Sequence, residues 1–127
     1  MAISNYGPYD VQSFKAAVDL EGKVGHFGVV TATGVDLAGD GVIADGVIVG
    51  VERAGVGHDV GLMTTSGRKV PVVVGAAVVA GATLASDAAA KGKTAISTNV
   101  INGIALDAGG ADGNLVTCLF GYKGVKA

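Results

Sequence analysis

The chain has 127 residues, half of them hydrophobic, with 22 glycines, no tryptophan and only 16% charged side chains. One domain of this length buries enough surface to fold without metal or disulfide, and its positive mean hydropathy excludes a solvated disordered chain. Nine Lys and Arg against eleven Asp and Glu give a net charge of −2, which leaves no electrostatic drive toward nucleic acid or an anionic membrane.

The opening residues, Met1 to Asp10, carry neither the basic nor the apolar stretch of a secretory signal. From Asp10 to Leu20, Val11, Phe14 and Val18 recur at helical spacing, with Asp10 placed to cap a helix. The same stretch reads equally well as an extended arm. We take residues 1–20 as an N-terminal arm and 21–127 as a single β-rich domain. Tyr6, Tyr9 and Phe14 are half of the six aromatic residues. Burying one large side chain is worth about 1.5–3 kcal/mol, so these three either fold back on the domain or insert into a partner. They are the candidate partner contacts.

Beyond the arm, Val29-Val30, Val47 to Val51, Val70 to Val74, Val100-Ile101 and Leu115 to Phe120 form short apolar, mostly β-branched runs. Such side chains lose freedom in a helix and pack well on a pleated surface. Between them lie Gly39-Asp40-Gly41, Asp45-Gly46, Ser66-Gly67, Asn102-Gly103 and Asp112-Gly113-Asn114, residues that tolerate the positive φ of tight turns. The pattern predicts an all-β fold, a small barrel or sandwich with at most one short helix. The uncharged run Val70 to Ser86 is short for a membrane span and holds Pro71, Gly75 and Gly81, so it reads as two buried strands joined through glycine. Ser86 to Lys91 reads as a polar turn, or as a single helical turn stopped by Gly92. An internal echo runs through the chain: Val47 to Met63 and Val100 to Cys118 both spell strand, glycine-containing turn, strand. It predicts two similar hairpin units in one core.

Chemistry-bearing residues are few. The single cysteine, Cys118, lies in an apolar run and has no internal partner. His58 with Asp59 is the one conceivable catalytic nucleus, and no Gly-x-Ser-x-Gly elbow offers a serine. Two separate histidines and one cysteine do not make a zinc site. Asp36 to Gly41 resembles a calcium loop but has Val47 where a bidentate Glu belongs. Gly92-Lys93-Thr94 ends like a phosphate-binding loop, yet its first glycine would fall on Asp87, whose charge repels phosphate. These residues predict no catalytic site, no metal and no cofactor.

Three segments, in order and spacing, carry a family resemblance. Ala17 to Phe27, Val79 to Asp87 followed by Gly92-Lys93, and Val100 to Gly113 resemble the corresponding stretches of small tailed-bacteriophage capsid decoration (cement) proteins. The likeness spans about residues 17 to 120 and leaves the Tyr6-Gly7-Pro8-Tyr9 leader outside it. It implies a non-enzymatic structural virion protein, made in the host cytoplasm. Such a protein sits as a homo-oligomer, often a homotrimer, on the outer capsid surface and bridges major capsid protein subunits. The rival reading is a β-rich carbohydrate-binding or adhesin-like module, which the absence of Trp disfavours.

Overall fold

The short β-branched runs and glycine turns organise into ten strands, as seen in a computed structural model that describes residues 11–51 and 55–127. In chain order these are β1 (Val11–Lys15), β2 (Phe27–Thr31), β3 (Gly34–Leu37), β4 (Gly46–Val51), β5 (Asp59–Met63), β6 (Lys69–Val73), β7 (Thr83–Ser86), β8 (Gly92–Thr94), β9 (Gly103–Ala105) and β10 (Leu115–Phe120). They form two antiparallel five-stranded sheets, ordered β1-β5-β4-β2-β3 and β6-β10-β9-β7-β8. Among the described residues there is no helix. The fold is all-β and a single small domain.

The helical reading of Asp10 to Leu20 is overturned for its described part. Val11 to Lys15 pair residue for residue with Met63 to Asp59. Positions three apart lie on opposite faces of a strand, so Val11 enters one apolar cluster while Phe14 leans on the other. Pairing with β5 and burial on both faces override the local spacing. Ala16 and Leu20, further along the same stretch, are buried. The run 70–86 contains β6 and β7, which lie in one sheet with β10 and β9 between them. No helix among the described residues is long and apolar enough to cross a membrane. Ser86 to Lys91 is a polar turn: the Asp87 carboxylate accepts the Ala89 and Lys91 amides at 2.8 and 2.9 Å.

The two sheets share one topology. Each lists its strands as first, fifth, fourth, second, third, and the strand starts 11, 27, 34, 46, 59 recur at 69, 83, 92, 103, 115, an offset of 56 to 58 residues. The register repeats as well. Phe27 faces Val47 and Gly28 faces Gly46 in the first sheet, as Thr83 faces Ile104 and Leu84 faces Gly103 in the second. A parallel bridge between Ala16 and Val35 is matched by one between Val74 and Gly92. Each bridge ties the end of a sheet's first strand to its third, so both sheets curl toward closure. Even the turn before the second strand is duplicated. His26 N–H donates to Lys23 O at 3.1 Å with Gly25 at φ +89°, and Ala82 N–H donates to Val79 O at 3.2 Å with Gly81 at φ +87°. Positive φ at the third residue of a four-residue turn is the position glycine accepts without strain. The described residues therefore form two copies of one five-stranded unit.

This register corrects the alignment read from sequence. The echoing hairpins exist, as β4–β5 and β9–β10, but Val47 corresponds to Ile104 and not to Val100. The Val100-Ile101 run lies outside the ten strands: Val100 pairs with Val125 in an isolated bridge and donates its amide to Gly41 O.

The core follows the duplication. Ala16, Leu20, Val35, Ile48, Val60 and Leu62 fill the first unit. A larger cluster joins the units, placing Val11, Phe27, Val47 and Met63 with Val70, Val72, Leu84, Val116 and Cys118. Ile48 and Val47, adjacent and both fully buried, show why: one face of the first sheet lines its own interior and the other packs on the second unit.

Candidate functional site

The carboxylates that offered chemistry in the sequence are engaged in building the fold. Asp59, the prospective partner of His58, holds Lys15 Nζ at 2.7 Å across the β1–β5 pair. The backbone carbonyl of His58 accepts the Ala16 amide at 2.9 Å, which fixes the turn into β5. Asp36 caps its neighbour Leu37 N–H at 2.7 Å, and Asp40 pairs with Lys93 Nζ at 2.7 Å, so the calcium-like loop uses its carboxylates structurally. Gly92-Lys93-Thr94 is strand β8, extended and without a loop to cradle phosphate. Among the described residues no three His, Cys, Asp or Glu side chains gather into a metal-binding group. Burial pushes the Cys118 thiol up to about 12, far from a reactive thiolate at neutral pH. His26 is buried, and its Nδ1 has no hydrogen-bond partner.

Of the candidate partner contacts, Tyr6 and Tyr9 lie outside the described residues. Phe14 is half-buried against the first unit's core, so part of its ring area is already committed to the fold.

The exposed apolar side chains are more informative. The C-terminal segment is pinned along residues 98–101 by backbone bonds: Thr98 N–H to Lys126 O, Lys126 N–H to Asn99 O, Ile101 N–H to Gly124 O and Lys123 N–H to Ile101 O, all 2.8–2.9 Å. The loop 41–44 of the first unit is stitched to the same region. Gly41 O accepts the Val100 amide at 2.9 Å, and the buried Asn102 side chain grips the loop at two points. Its Oδ1 accepts Ala44 N–H and its Nδ2 donates to Val42 O, each at 3.0 Å. The result is a rigid region, assembled from both units, that holds Val42, Ile43, Ile96, Tyr122 and Val125 exposed to solvent. Backbone held this firmly loses little freedom on binding, which favours a contact surface. By its residues Asn102-Gly103 reads only as a turn, whereas Gly103 opens β9 and Asn102 is buried; a buried amide that clamps a distant loop has no local signature.

Comparison with known protein families, curated proteins and solved structures finds no match for this chain.

Proposed function

We propose that this chain is a structural assembly protein of the capsid-decoration kind. It binds the outer surface of an icosahedral shell as a homo-oligomer and clamps neighbouring major capsid subunits. The observation that carries the reading is the set of large apolar side chains left in water on firmly bonded backbone. Ile96, Tyr122 and Val125 are 57–61% exposed around the C-terminal segment, and Val56 and Val79 are about 70% exposed on turns. A small domain gains by covering such groups against a larger surface. The resemblance of Ala17 to Phe27, Val79 to Asp87 and Val100 to Gly113 to decoration proteins supplies the kind of surface.

Oligomerisation suits that role, because several copies of one exposed apolar surface bind a repetitive lattice with high effective concentration from individually weak contacts. Binding only the assembled shell would stabilise it by mass action. The test is co-sedimentation of the purified chain with assembled empty shells, alongside its molar mass in solution. Saturable binding by an oligomer supports the reading; a monomer that leaves shells undecorated refutes it. The leader is tested in the same assay by removing residues 1–9 alone, because a deeper cut would take β1 out of the first sheet.

A further inference from the structure

The duplicated unit offers an internal control for one residue. His26 occupies the position of Ala82 in the other copy: Ile48 N–H donates to His26 O as Ala105 N–H donates to Ala82 O, both at 2.9 Å. The turn therefore forms without an imidazole. Yet His26 is 4% exposed, and its buried Nδ1 is unpartnered. A polar atom in that condition opposes folding, and here the architecture does not require it.

The residue also sits on the seam between the units. On one side, Gly25 O accepts the amide of Val73 in β6 at 2.9 Å; on the other, Phe27 N–H donates to Ala90 O at 2.8 Å. The approach is tight, since a Cβ on Gly25 would lie 2.9 Å from Val73 Cγ2. The charges bearing on the ring are cations, Lys23 on its own turn and Lys91 of the 87–91 turn. Lys91 is paired with Asp112 at 2.9 Å. The Asp87 carboxylate of that turn accepts the Ala89 and Lys91 amides. On β6 the one charged residue is Lys69, which is exposed, and β4 has none.

We infer that His26 is an acid-sensitive latch: the neutral ring permits the two units to dock, and protonation loosens the seam between them. Burial first, then Lys23, lowers its pKa below the ordinary value, against smaller opposing pulls from the Val24 and Lys23 carbonyls. A group depressed in the folded state favours folding fully above its unfolded pKa of about 6.5. That advantage is lost as the pH falls from there through the folded pKa.

The experiment is a pH series from 7.5 to 4.5 on the full chain, following the His26 ring by NMR and the exchange protection of the Val73 and Phe27 amides. His26→Ala, which copies the other unit, and His26→Gln are compared. The inference expects a ring titrating below about 6.5, with native seam protection falling by up to about tenfold per pH unit below that value. In both variants the fall is absent, while amides inside each sheet hold. A ring titrating at or above the ordinary value overturns the inference. So does an equal pH slope in the variants, or loss of protection spread evenly over both sheets. Should neither variant fold, the native ring titration and the seam amides decide alone.

Discussion

Replacing Asn102 tests whether a single buried amide holds the exposed apolar region in place. The side chain is 1% exposed and makes two bonds of 3.0 Å, accepting from Ala44 N–H and donating to Val42 O. In Asn102→Ala both bonds vanish. Each contributes about 0.5–1.5 kcal/mol, and leaving a buried amide unsatisfied adds about 1–3 kcal/mol. Ala44 is itself 7% exposed, so water cannot readily replace the lost acceptor. The expected loss is about 2–4 kcal/mol of unfolding free energy, read from urea denaturation at constant slope. Asn102→Asp separates the two bonds. An ionised carboxylate still accepts from Ala44 but faces the Val42 carbonyl without a proton to donate, and it carries a buried charge. Protonated, it can accept and donate as the amide does. The aspartate variant is therefore expected to lose more than the alanine variant at pH 7 and to recover toward the native chain as the pH falls. Taking the difference from the native chain at each pH removes the contribution of His26. An alanine variant within about 0.5 kcal/mol of native, or an aspartate penalty independent of pH, refutes the clamp.

Other outcomes follow from the duplicated register and from two strained or buried positions. Gly46→Ala and Gly103→Ala place a methyl 2.5 Å from Met63 O and from Cys118 Sγ respectively, so each is expected to cost about 1–3 kcal/mol or more in denaturation. Gly50→Ala meets nothing within 4 Å and should stay within about 0.5 kcal/mol of native, or gain slightly. Thr98 adopts φ +73° on the surface, a conformation costly for a β-branched residue. Thr98→Gly is therefore expected to raise stability by about 1 kcal/mol. With its thiol pushed up to about 12 and no exposure, Cys118 should resist thiol reagents at pH 8 in the folded chain and react at once in denaturant. Labelling of the native protein at the rate of a free thiol would contradict its burial.

Local chemistry was legible in the residues themselves. Val47 to Val51, Val70 to Val74 and Leu115 to Phe120 announced strands because β-branched side chains favour a pleated backbone wherever they sit. Ser66-Gly67 and Asp112-Gly113-Asn114 announced turns because glycine alone takes φ of +86° and +90° there without strain. The thin stock of titratable groups was equally plain.

Register and burial were not legible, because they depend on partners far along the chain. The two units preserve their backbone pairing and not their side chains: Ile48 stands where Ala105 does, Leu62 where Cys118 does, Val35 where Gly92 does, so residue matching slid the echo by several positions. Val11 and Phe14 share a helical spacing that only pairing with β5 converts into opposite faces of a strand. Asn102 reads as an ordinary turn residue, and nothing in the residues around His26 marks it as buried, until the second unit closes over them. Local preference is a property of each residue and its neighbours, whereas the cost of an unpaired amide or imidazole appears only when the tertiary fold removes the water around it.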